Sequence, residues 1–171
     1  DTRTLGNRRY ASKQWICCQL DFKGRQRSVW GNGYTELFFL DEVTALAAGH
    51  RPCFECRRAH ALAFAGAWQR AVGYRPSAPA MDHILHAERL IGRGKRTHRR
   101  SIDDLPDATM IVREGAAFAV RGDAILRWSP AGYTERCARP VSTIVDVLTP
   151  PSIVTVLAAG YAPQWHPGAA G

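Results

Sequence analysis

Acidic residues are scarce. The chain of 171 residues sets 15 Asp and Glu against 23 Lys and Arg, a formal charge of +8. Long apolar runs are missing as well: no stretch approaches the roughly 20 residues that a membrane helix needs. No charged-then-apolar leader of the secretory kind opens the sequence. These absences point to a soluble, cytoplasmic protein without a membrane partner. Cysteine occurs only five times, and two of the five, Cys17 and Cys18, are adjacent. An odd count with a neighbouring pair argues against an extracellular disulfide framework. Reduced thiols leave metal binding, chemistry or burial as their uses.

The surplus positive charge is concentrated. Residues 1–30 hold seven Lys/Arg and two acids, residues 31–92 six of each, and residues 93–100 (RGKRTHRR) five basic residues and no acid. Residues 101–171 are net −2. Two basic segments brought together by folding would suit a polyanion, and nucleic acid is the natural one. Two solvated basic loops are the plainer reading.

Residues 15–22 (WICCQLDF) alternate as a strand. Lys23-Gly24 is a turn, RQRSVWG a returning strand, Asn32-Gly33 a hairpin turn that tolerates positive φ, and YTELFFL a third strand. Asp41 caps a short helix that Gly49 stops. A longer helix is expected over 53–72 and a third over 81–92. The stretches 108–115, 116–123, 124–130 and 141–148 read as short strands, and 149–163 contains a final short helix with Thr149 as its cap. The expected fold class is α+β: a small N-terminal antiparallel sheet with a zinc knuckle, a helical middle and a β-rich C-terminal unit. The corresponding divisions are 1–74, 75–100 (helix plus basic loop) and 101–171. VTALAAGHRP at 43–52 and VTVLAAGYAP at 154–163 agree at seven of ten positions; helix termination alone explains that echo.

Cys53 and Cys56 stand two residues apart behind Gly49-His50-Arg51-Pro52. At the start of a helix, both thiols lie near free backbone N–H groups that favour thiolate. Two such sulfurs can converge on one tetrahedral Zn²⁺; a redox pair and two inert buried thiols are the rival uses. A redox pair expects a strand directly before it, and here a helix and its stop precede. For the remaining ligands, His60 is four residues after Cys56 on the same helix side, while Cys17 and Cys18 point to opposite strand faces. The candidate sets are Cys17, Cys18, Cys53 and Cys56, or one of the first two with Cys53, Cys56 and His60. Cys137 is read as a bystander.

Residues 38–58 (FFLDEVTALAAGHRPCFECRR) resemble the second half of the Ada-type zinc domain, the module that repairs methylphosphotriesters in DNA. Ala48, Gly49, Arg51, Pro52, Cys53 and Cys56 match that family's motif, with His50 in its ring position. The resemblance implies that Cys53 and Cys56 bind zinc, with two more thiolates from an earlier hairpin, and it suggests DNA repair or processing. The family's first pair is Cys-x-x-x-Cys, whose first member accepts the methyl group; this chain has Cys17-Cys18 there, so the acceptor role passes to no residue by motif.

The helix MDHILHAERLIG places His83 and His86 three residues apart, with Glu88 further round. Beside a basic run, such a group could serve phosphodiester cleavage with a divalent ion, and DHI after a Cys-x-x-Cys resembles HNH nucleases. The plainer reading is the polar side of an amphipathic helix. Arg93, Lys95, Arg96, His98, Arg99 and Arg100, with Arg25 and Arg27, are the candidate phosphate contacts. Trp15, Trp30, Tyr34 and Trp68 serve either as stacking platforms or as core. The functional expectation is a zinc-stabilised nucleic-acid-binding protein, DNA being the favoured partner. The alternatives are a metal-dependent nuclease using His83, His86 and Glu88, an alkyl-accepting repair protein using Cys17 or Cys18, and a protein-interaction module.

Overall fold

The computed structural model describes residues 10–24, 29 and 36–170. Its fold is mixed α+β. The first strand, β1 (Ile16–Cys17), is only two residues long. Asp41 then starts α1 (Glu42–Ala47) with a reciprocal capping box: Thr44 N donates to Asp41 Oδ1 at 2.9 Å and Asp41 N to Thr44 Oγ1 at 3.2 Å. The helix stops at Gly49, whose φ of +84° suits a residue without Cβ. His50 N closes the last turn on Ala45 O at 2.9 Å.

Directly after that stop, β2 (Arg51–Pro52) pairs in parallel with β1. The antiparallel partner expected for the first strand lies mostly outside the described residues; after Cys17 the chain carries Cys18 toward Cys53 and Cys56, and Gln19 N donates to Cys56 Sγ at 3.3 Å. Residues 36–39 carry no strand. The expected returning strand and the Asn32-Gly33 turn lie outside the described residues, apart from Val29, whose carbonyl accepts from Glu36 N.

Next comes α2 (Arg58–Val72), five residues later than the sequence suggests, because Phe54–Arg57 form turns. Its buried residues Ala61, Phe64, Ala65 and Trp68 keep helical spacing. α3 (Ala78–Arg89) starts earlier than expected, where Ser77 Oγ accepts from Ala80 N and a proline fits the first turn. The basic run, expected as a loop, is extended and paired. β3 (Leu90–Ile91) and β4 (Gly94–Lys95) form a hairpin, and β5 (His98–Ser101) is the edge strand of the large sheet.

That sheet continues with β6 (Met110–Arg113), β7 (Ala116–Arg121), β8 (Ala124–Ser129), β9 (Gly132–Ala138) and β10 (Ile144–Val147), in the order β5-β10-β6-β7-β8-β9. β6 to β9 run as a meander, and every pairing in the sheet is antiparallel. Last, α4 (Pro151–Ala158) ends at Gly160 (φ +88°), with Tyr161 N on Val156 O at 3.2 Å. The sequence echo is therefore one helix stop used twice. Thr149, expected as the cap of this helix, instead takes Met110 N on its hydroxyl at 2.8 Å.

Two apolar clusters cover the two faces of the sheet. Met110 and Ala119 join Val43, Leu46, Phe64, Met81, Leu85, Ile153 and Tyr161, so α1 to α3 and part of α4 pack on one face or around it. Ile111, Phe118, Val120, Ile125, Val145 and Val147 face the other way, toward Ile102 and Leu105. Covering both faces explains why β6 and β7 read as nearly continuous apolar runs. No helix among the described residues is long and apolar enough to cross a membrane.

Candidate metal centre

The helix stop at Gly49 aims β2 along β1, and that short parallel pairing builds the site. Arg51 N donates to Trp15 O and Cys53 N to Cys17 O, each at 3.1 Å. The chain then turns at once, so Cys53 and Cys56 lie before α2 rather than inside it. Cys18, arriving from β1, completes a group whose three sulfurs all lie within 4.8 Å of one another. Bonds near 2.3 Å at tetrahedral angles would put sulfurs about 3.8 Å apart, so the trio can close on one ion with small side-chain shifts. It is the one such group of Cys, His, Asp and Glu among the described residues.

The electrostatics fit a cation. Burial pushes the Cys53 thiol up, but the N–H groups of Cys56 and Glu55, with the neighbouring thiols, outweigh it and hold Cys53 below its ordinary value. Glu55 N lies 3.4 Å from that sulfur. Cys18 is driven up to about 12 by burial and by charge on Cys53 and Cys56. A divalent cation bound between these sulfurs would offset the charge that holds Cys18 up.

Cys17 and His60 are placed elsewhere. Cys17 Sγ accepts from Arg57 Nη1 at 3.1 Å. Arg57 also reaches Glu42 Oε2 at 2.8 Å and Gln164 Oε1 at 2.9 Å. Glu42, almost fully buried, further accepts from Tyr161 Oη at 2.6 Å and Gln164 N at 2.8 Å. His60 Nδ1 stands 3.5 Å from both Glu42 Oε2 and Tyr161 Oη. These residues form a polar hub that fastens the C-terminal segment to the start of α1. Cys137 lies on β9 with its thiol on Glu135 Oε1.

Arg51 locks the site to the helical layer. Its Nε and Nη2 grip both oxygens of Asp82 at 2.8 and 2.9 Å, with both side chains buried. Asp82 is thereby withdrawn from the histidines of α3. Those histidines do not converge with Glu88. His83 is exposed, His86 Nδ1 faces Arg89 Nη2 at 3.2 Å, and Glu88 takes Ser152 N and Oγ at 2.9 and 2.6 Å.

Arg89 carries a role that no pattern in the sequence advertised. It is fully buried. Its guanidinium lies 3.8 Å over the Trp15 ring and donates to Gly49 O at 3.0 Å and Lys13 O at 2.9 Å. Tyr10 meets the His86 ring edge-on at 4.6 Å. Residues 10–15 are therefore held against the end of α3, where the basic hairpin leaves. On that hairpin, Lys95 Nζ reaches Ala47 O at 2.7 Å and Arg96 Nε reaches Leu90 O at 3.1 Å; Arg93 occupies its exposed turn. On β5, His98 Nε2 pairs with Thr149 O at 2.9 Å. Arg99 and Arg100 are exposed and stand opposite Asp146 and Val145. Burial and the nearby Arg89 charge pull Lys95 down to about 8. Arg25 and Arg27 lie outside the described residues, as do Trp30 and Tyr34. Trp68 is core.

No family model matches the chain, and neither a curated protein nor a solved structure matches it.

Proposed function

We propose that the chain is a zinc-stabilised protein that binds nucleic acid, DNA in the first instance, through the surface around its β3–β4 hairpin and β5. The three thiolates form a soft donor set that suits zinc. In this reading the Cys53–Cys56 turn is a knuckle of the Ada type, and Cys18 is the sulfur contributed by the earlier strand. Zinc then ties the opening segment to the turn before α2. The observation that carries the nucleic-acid reading is the docking of residues 10–15 by Arg89 and His86 at the root of the hairpin. It brings Lys13 of the opening segment to the root of the hairpin that carries Arg93, Lys95 and Arg96.

Two measurements test this. Native mass spectrometry should find one zinc per chain. Fluorescence anisotropy on a duplex should show affinity falling with salt, by about 0.9 log unit per log unit of salt for each phosphate contact. A slope of about −3 or steeper fits this surface with three or more contacts. A flat response overturns the nucleic-acid reading.

A further inference from the structure

Four protein ligands close a structural zinc site, and among the described residues no fourth Cys, His, Asp or Glu atom joins the three sulfurs. Cys17 directly precedes Cys18, and neighbouring side chains in an extended chain point to opposite sides. Its sulfur accordingly faces Arg57, which Glu42 and Gln164 fix in turn. His60 belongs to the Glu42 hub. His50 packs between Trp15 and Phe39. Cys137 is on β9, with Glu135. Residues 1–9, 25–28, 30–35 and 171 contain no Cys, His or Glu, and Asp1 is their one Asp.

Resting on the metal reading above, we propose that this is a three-thiolate centre whose fourth position belongs to an exchangeable external donor, and that small-molecule thiols are the ligands it takes up. This departs from the all-cysteine set that the Ada-type resemblance implies. Three thiolates leave the zinc unit with a charge of about −1, so bound water is only weakly acidified and hydroxide chemistry is disfavoured. A soft sulfur donor is the better fourth partner. On exchange, the thiol sulfur replaces water, the water leaves, and the thiol proton passes to solvent. The approach is from the Cys18 side. Cys53 and Cys56 are buried, Cys18 is half-buried, and the adjoining Gln19, Leu20 and Asp21 are exposed.

Cobalt substitution tests the proposal, because sulfur-to-cobalt charge-transfer absorption scales with the number of thiolates. Millimolar 2-mercaptoethanol should raise that absorption by about one third, from three thiolates to four, and shift the visible bands. Cys17→Ser should leave the spectrum before thiol addition unchanged, whereas Cys18→Ser should lower it. A loss of about one quarter in Cys17→Ser, or no response to added thiol, overturns the proposal while leaving a metal site standing. Failure to take up cobalt or zinc overturns the proposal together with the metal reading.

Discussion

At the residue scale, several buried groups make sharp demands. Arg51 and Asp82 form a forked pair shielded from water. Removing one partner of such a pair leaves an uncompensated buried charge, which costs about 3–5 kcal/mol. Arg51→Ala should lower the urea midpoint accordingly, and Arg51→Lys should recover only part, because an ammonium cannot grip both oxygens. A loss below about 1 kcal/mol would place the pair in water-like surroundings. His50 offers a pH test. Burial first, then the charges of Arg89 and Lys95, pull it down to about 3. The unfolded chain, with an ordinary histidine near 6.5, binds this proton first as pH falls. Stability from this residue is thus complete above about pH 6.5 and drains away down to about pH 3. Urea titrations at pH 7 and 4.5 should show a smaller drop in His50→Phe than in the parent chain; equal drops would remove His50 from the acid response.

Among the elements, the two copies of the helix stop permit a controlled comparison. Both glycines have positive φ, +84° at Gly49 and +88° at Gly160. A Cβ at Gly160 would meet only Arg70 Nη2 at 3.8 Å, but one at Gly49 would lie 2.6 Å from Arg89 Cδ. Gly160→Ala should therefore cost about 1–2 kcal/mol, the strain of a left-handed alanine. Gly49→Ala should cost clearly more, since it also displaces the clasp on Trp15 and Lys13; equal losses in chemical denaturation would remove Arg89 from that role. The same pair marks what sequence can reveal. Caps, glycine stops and alternating apolar runs are local, and they place α1, the end of α2 and the β6–β8 meander closely. The start of α2 is not legible, because Cys53 and Cys56 sit at helical spacing from its apolar residues although the chain turns there before the helix begins. Nor is β5, whose arginines pattern as a loop until Asp146 and Val145 stand opposite them. β9 is missed because its exposed Thr134, Glu135 and Arg136 give no apolar rhythm. In the candidate site, Cys53 and Cys56 are legible from spacing, whereas the choice of Cys18 over Cys17 depends on where Arg57 sits.

At the scale of the whole molecule, the sheet and the opening segment are secured by different means. The sheet has a second apolar cluster of its own, to which Ile102, Leu105 and Val154 of α4 contribute. Residues 10–18 have a two-residue strand, the Arg89 clasp, the Tyr10–His86 contact and the sulfur of Cys18. A strand pair that short is not stable alone, so a bound metal would supply much of the segment's attachment. Chelation should therefore act selectively. Hydrogen exchange should speed up at Arg51 and Cys53, whose amides bond to Trp15 and Cys17, while β6 to β8 remain protected. On the proposed nucleic-acid reading, duplex binding should weaken in the same sample, and the salt slope should shrink by about 0.9 for each phosphate contact that the released segment takes with it. Uniform loss of protection would make the metal a keystone of the entire fold; unchanged exchange at Arg51 and Cys53 would mean that the sulfur trio does not fasten the segment.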